Sequence, residues 1–282
     1  MIKTIRVMLI PNNKQETKLF RYANTARFAY NWALGREKEN YKNGGKFLSD
    51  GELRKEFTQL KKVDKYSWLN EISNNVTKQA IKDACNAYKR FFTGYSKFPK
   101  FKSRKHFIPS FYQDNVKIQF TESHVKVEGF TTSKRKNKQK LNWIRLAENN
   151  RIPTNCKYTN PRIKYDGLNW YLTVGVEYED STAIPSNEGI GIDLGIKDLA
   201  ICSDGNKYKN INKTQKVKKL EKQKRRLQRS ISRSYEKNKK GESYYKTNNV
   251  IKKEKFLLKL NHRLTNIRHD YLHKTTSEII KR

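Results

Sequence analysis

Along the chain the spacing of apolar positions changes several times. Residues 4–10 (TIRVMLI) are rich in β-branched side chains and stop at Pro11, which predicts a strand. From Asn13 the period becomes helical. Leu19, Tyr22, Ala26, Ala29, Tyr30 and Ala33 recur every three or four residues and share one face, until Gly44-Gly45. Ser49-Asp50-Gly51-Glu52 has the form of a capping box, with Ser49 as N-cap, and predicts a helix through Leu53, Phe57 and Leu60. A third helical stripe, Ile72, Val76, Ala80, Ile81, Ala84, Ala87, Tyr88 and Phe91, is expected to begin near Ser67 and to close at Gly94.

Period-two alternation takes over between Phe111 and Tyr178, in IQF, HVKVEGF, NWIRLA and RIKYDGLNWYLTVGVEY. Asp166-Gly167 reads as a two-residue hairpin turn. These strands predict a small β-barrel closed by residues 4–10, with the helices inserted between its first and second strands. STAIPSNE (181–188) reads as a linker. GIGIDLGIKDLAICSDG (189–205) then reads as an apolar strand, a bend, a second strand and a turn at Asp204-Gly205. Val217, Leu220, Leu227 and Ile231, interrupted by Lys224, form one helical seam. Leu257, Leu260, Leu264, Ile267 and Tyr271 form another, so an antiparallel helical hairpin is expected. The implied boundaries are residues 1–10 plus 102–185 for a barrel, 11–101 for a helical module and 186–282 for a last domain.

Charge narrows the function classes. The 282 residues carry 62 Lys+Arg against 27 Asp+Glu, a net charge of +35. So large an excess repels itself in a compact fold unless a polyanion neutralises it, and nucleic acid is the polyanion that suits it. Ribosomal or histone-like packing is the blander reading. A membrane surface would require a basic segment with a strong apolar face, and no such segment is evident. No apolar run approaches a membrane span, and MIKTIRVMLI is too short and basic for a signal peptide, so a cytoplasmic, nucleoid-associated protein is expected. Aromatic content of 12% argues against full disorder and provides rings for stacking on bases. Cys85, Cys156 and Cys202 lie far apart with no CxxC pair, so they read as isolated thiols and no zinc site is expected.

Three basic stretches are candidate nucleic-acid contacts. In KFPKFKSRKHF, Lys97, Lys100, Lys102, Arg104 and Lys105 interleave with Phe98 and Phe101. The cations suit phosphates and the rings suit bases, although the same rings can pin a solvated linker to a core. Lys134, Arg135 and Lys136 fall on an expected loop. Lys224, Arg225, Arg226 and Arg229 belong to the final helical region, where residues 213–282 hold a one-sided excess of cations.

Asp193 is the sharpest candidate for chemistry. Apolar residues flank it on what reads as a central strand, where an unpaired carboxylate is costly to bury and a divalent cation would offset the cost. A strand-borne Asp can also cap a neighbouring helix. Asp198 reads as a solvent-facing strand-edge acid and Asp204 as a turn residue. His269 and His273 stand i, i+4 apart but lack a third ligand.

GIDLGIKDLAICSDG resembles the first catalytic motif of the RuvC-like nuclease domain of the TnpB/OrfB family, transposon-encoded RNA-guided nucleases. IRVMLIPNNKQETKLFRYANTARFAYNWAL resembles that family's opening, KFPKFKSRKHF its basic connector and LEKQKRRLQRS its long hairpin, all in the family's order. The resemblance implies an α+β multidomain fold. An oligonucleotide-binding-like β-barrel with an inserted helical module would precede an incomplete RuvC/RNase H-like α/β domain with a long helical hairpin. It also implies a guide RNA and a double-stranded DNA target as partners, and Mg²⁺ held by three carboxylates, the first matching Asp193 as catalytic residue and metal ligand. The sequence ends at TTSEIIKR, where the family's second carboxylate strand would start, and Glu278, helical in pattern, is no substitute. The expectation is therefore a nucleic-acid-binding member of the family, truncated and inactive as a nuclease by itself. A nuclease-dead guided repressor, or a binder of its own transcript, is the alternative.

Overall fold

The computed structural model describes residues 1–104, 107–130, 141–178, 189–241 and 243–281. It divides into two compact units, Met1–Asp180 and Ser181–Arg282.

The first unit opens with β1 (Ile2–Ile10), followed by α1 (Asn13–Lys42), α2 (Asp50–Leu60), a 3₁₀ segment (Asp64–Glu71) and α3 (Asn74–Phe92). Strands β2 (Ser110–Tyr112), β3 (Gln119–Phe120), β4 (His124–Lys126), β5 (Trp143–Leu146), β6 (Tyr158–Tyr165) and β7 (Trp170–Glu177) complete it. The helices are inserted after the first strand, as the pattern predicts. The seven strands form one sheet in the order β2-β6-β7-β1-β5-β4-β3. β1 stands in its middle, antiparallel to β7 on one side and β5 on the other, rather than at a closing seam. β7 runs beside β1 from Ile2 to Leu9, whereas β5 pairs only with Leu9 and Ile10, and only Val7 and Leu9 of the strand are buried.

The helical stripe on α1 is the buried face. Leu19, Tyr22, Ala29 and Ala33 pack in the same core as Val76, Ile81 and Ala84 of α3 and Phe111, Ile163, Trp170 and Leu172 of the sheet. Helices and sheet therefore share one continuous core. Two polar links pin them together. Gln15 closes a capping box with Asn12, and its amide nitrogen also donates to the carbonyls of Leu141 and Trp143 at 3.0 and 2.8 Å. Arg162 on β6 makes a two-pronged ion pair with Asp83 on α3 at 2.8 and 3.0 Å.

Two local expectations are corrected. The third helix does not begin near Ser67. Residues 64–71 form the 3₁₀ segment, which sends Leu69 into the core, and α3 starts at Asn74 with Ser73 as N-cap. The hairpin at Asp166-Gly167 has a four-residue connection, because β6 and β7 pair last at Tyr165 and Trp170. Asp166 Oδ1 accepts the N–H groups of Leu168 and Asn169, which holds the longer loop.

The second unit contains β8 (Ile192–Asp193), β9 (Asp198–Cys202) and β10 (Lys207–Lys209), in the order β10-β9-β8. Helices α4 (Gln215–Lys237) and α5 (Asn248–Ile280) follow, joined through a short ribbon of β11 (Lys239–Lys240) and β12 (Ser243–Tyr244). Arg268 bonds Glu221 near the start of α4, and Tyr235 near its end bonds Glu254, so the helices run antiparallel as expected. Their core is small: Val217 and Leu220 meet Leu260 and Leu264, with Leu227 and Ile267 half-buried beside them. Tyr271 donates to the Lys209 carbonyl at 2.6 Å and ties α5 to β10. No helix among the described residues is long and apolar enough to cross a membrane.

Candidate nucleic-acid interface

The basic connector leaves α3 without regular structure. Lys97, Phe98, Lys100, Phe101 and Arg104 are exposed, as a contact strip requires. Phe98 also leans edge-on against Tyr88 and Phe91, so one ring of the strip helps to fix it to the helices. Lys102 turns the other way. Its ammonium lies 3.6 Å from the centre of the Tyr30 ring, and its backbone N–H and carbonyl are both bound by the Asn31 side chain at 2.8 and 3.0 Å. Burial pushes its pKa down. Lys102 is thus an anchor of the connector and is withdrawn from the set of phosphate contacts, because the ring face already holds the charge. Lys105, Lys134, Arg135 and Lys136 lie outside the described residues.

On α4, Arg225, Arg226 and Arg229 are exposed, while Lys224 is half-buried at the seam. Arg225, Arg229 and Arg233 fall on one face at i, i+4, i+8. With Gln228 and Ser232 they line an open groove of about 500 Å³. A helix face of this kind presents one cation per turn, at a spacing that can follow phosphates.

A cationic pocket that the sequence reading missed lies between α2 and α3. It has a volume of about 490 Å³ and is lined by Arg54, Lys61, Lys62 and Lys78 together with Asn70 and Asn74. Lys61 is 8% exposed. Its ammonium donates to Asn74 Oδ1 at 2.6 Å, and among the described residues no carboxylate pairs with it. Burial lowers its pKa. A buried cation without a counter-ion is costly, and a bound phosphate oxygen would relieve that cost. The sequence did hold a signal. Lys61 follows Phe57 by four residues, on the stripe of Leu53 and Phe57 that packs inward.

Asp193 is not where the apolar pattern puts it. β8 is an edge strand of two residues, and Asp193 is exposed. Leu194 and Ile196 beside it are 76% and 83% exposed, because no strand covers the outer side of β8 among the described residues. Burial therefore does not force a metal onto this carboxylate. Among the described residues no group of three or more His, Cys, Asp or Glu side chains is placed to hold a metal ion. The residues present do not fit a Mg²⁺ site. Asp198 is half-buried at the start of β9, and Asp204 Oδ1 accepts the Asn206 N–H within its turn. His269 and His273 are exposed, with ring centres 6.2 Å apart.

Residues 1–46 match a family model described as "Helix-turn-helix domain" of OrfB, and residues 173–282 match the OrfB model described as "Probable transposase". In this chain the first of these stretches holds one strand and one long helix. An Escherichia coli K12 protein named "Putative RNA-guided DNA endonuclease InsQ" is 30% identical over 99% of the chain. A Streptomyces pristinaespiralis protein named "Putative RNA-guided DNA endonuclease" is 24% identical over the same share. In both cases the chain spans 64% of the relative's length. A cryo-EM structure of a Cas12f1-sgRNA-target DNA complex is similar in fold, with a TM-score of 0.52 at 11% identity, covering 99% of this chain and 78% of that one.

Proposed function

Because the chain belongs to the TnpB/OrfB family of transposon proteins, we propose that it binds nucleic acid as the recognition half of an RNA-guided system, holding a guide RNA against a double-stranded DNA target. In this reading unit 1 supplies recognition and unit 2 is the first part of a RuvC-like nuclease domain, working beside DNA in the cytoplasm. The observation that carries the reading is the cationic pocket around Lys61, where a buried ammonium faces Arg54, Lys62 and Lys78. A pocket of four cations, of which only Arg54 has a carboxylate partner among the described residues, suits an anion, and a chain of net charge +35 meets its anion most often as phosphate. The exposed arginines of α4 and the strip Lys97, Lys100 and Arg104 extend the contact to a longer polyanion. Sequence specificity would come from base pairing by the guide, with the protein gripping backbone.

Cleavage is not part of this proposal, since the described residues do not assemble a metal site. The test is affinity for a structured RNA and for duplex DNA across a salt series. Binding should weaken at least about tenfold between low and moderate salt, as release of several counterions requires. Neutralising Lys97, Lys100 and Arg104 together should flatten that slope without changing the melting temperature. Affinity that ignores salt would sink the reading.

A further inference from the structure

The basic surfaces of this chain arrange their charge in two ways. On α4, Arg225, Arg229 and Arg233 stand about one turn apart along an open face, a spacing that can follow successive phosphates. Around Lys61 the cations converge instead. Lys61 and Lys62 follow the end of α2, Lys78 lies near the start of α3, and all three line one pocket. None of these lysines has a carboxylate partner among the described residues. The Lys61 ammonium lies 2.6 Å from Asn74 Oδ1 and 5.5 Å from the centre of the Phe57 ring, and both of those side chains are walls of the same pocket. An ammonium carries three N–H donors, and among the described residues only Asn74 accepts from this one. Asn74 is also the first residue of α3, whose first turn holds no acidic side chain, so the positive end of the helix dipole adds to the lysines.

We infer that this pocket takes a phosphate monoester, the terminal phosphate of a nucleic-acid strand, in preference to the phosphodiesters along it. The inference rests on the nucleic-acid reading above and narrows it to one part of the ligand. A diester carries one negative charge, whereas a monoester carries close to two at neutral pH and presents three acceptor oxygens. Three lysines without carboxylates and a helix N-terminus, gathered in one place, match the second better than the first. Size agrees with charge. A volume of about 490 Å³ is within the range of small-molecule sites, so the pocket can enclose a last nucleotide rather than graze a passing backbone. The carboxylate of an acidic peptide brings one charge and two oxygens, and would fill the same donors less completely.

The experiment uses the full chain and short oligouridines in three forms: with a 5′-phosphate, with a 3′-phosphate, and with hydroxyl groups at both ends but two nucleotides longer. The third form matches the total charge of the other two, so general attraction does not separate them. One of the phosphorylated strands should bind about tenfold more tightly than the charge-matched strand, as a further charge-assisted contact requires. Lys62→Gln together with Lys78→Gln, both at exposed side chains, should bring that ratio to about one. Arg225→Gln together with Arg229→Gln should weaken all three strands and leave the ratio as it was. Uridine 5′-monophosphate separates a strand end from a free nucleotide. It should bind at least about tenfold more weakly than the phosphorylated strand, because it lacks the phosphates that the other basic surfaces grip. Equal affinity of the mononucleotide would assign the pocket to free nucleotides and overturn the strand end. Equal affinity of all three strands overturns the inference and leaves the broader reading standing, and so does a preference that survives the loss of both lysines. Failure of every strand to bind removes both.

Discussion

Lys61 is a residue whose surroundings would suit a bound anion better than they suit the fold. It is buried with no carboxylate partner among the described residues, and such a charge is often replaced by an apolar side chain without loss. Lys61→Met is expected to raise stability by about 1 kcal/mol at neutral pH and to weaken DNA binding about tenfold, read by thermal melts and by titration of the same samples. The pH dependence has a definite sign. The pKa in the fold lies below the ordinary lysine value of 10.5, so the penalty is complete at neutral pH and fades as pH rises toward that value. The gain from Lys61→Met should shrink accordingly. Lys61 was legible as a polar residue on a buried helical stripe, since it follows Phe57 by four residues. Lys102 and Asp193 were not, because neither a nearby ring face nor the uncovered side of a strand leaves any trace in local spacing. For Asp193 the expected outcome is negative: with Mg²⁺ alone the purified chain should not cut DNA, and cleavage abolished by Asp193→Ala would overturn that.

Elements with strong periodicity were readable, and their ends were less so. The α1 stripe and the Ser49 capping box match the sequence pattern closely, because both depend on residues within two turns of one another. The start of α3 was misplaced because Ser67 and Ser73 are equally good local caps, and only the burial of Leu69 by the 3₁₀ segment separates them. Gln15 shows how far a cap can reach beyond its own helix. It caps α1 and also satisfies two carbonyls around β5. Gln15→Ala should therefore cost about 2–3 kcal/mol, since it leaves buried acceptors unpaired. Ser49→Ala, at an exposed cap, should cost about 1 kcal/mol. Denaturant melts that gave the two changes equal cost would contradict the anchoring role of Gln15.

At the scale of the molecule, the two units differ in how they are held. The first has a core that runs from α1 through the sheet, whereas the helical hairpin of the second has a main cluster of only four buried apolar residues, with Ile231 and Val250 buried apart from it. Limited proteolysis is expected to separate them near Asp180, with the first unit surviving longer. Amide exchange should be slowest in α1, α3 and β7, and protection highest in β8 or β9 would reverse that ranking. The helical insertion and the antiparallel alternation were legible from period alone. The sharing of one core was not, since periodicity reveals which face is buried and not what it is buried against.

The central place of β1 also governs how the chain can be made. Ile2–Ile10 leave the ribosome well ahead of both strands they pair with, Trp143–Leu146 and Trp170–Glu177. For most of the synthesis of unit 1 the strand has neither, and its apolar side chains must wait beside a growing, strongly cationic chain. Long-range pairings of this kind make folding slow and expose the nascent protein to non-native association. In a cell full of RNA, an unfinished chain of this charge will meet polyanions before it meets its partner strands.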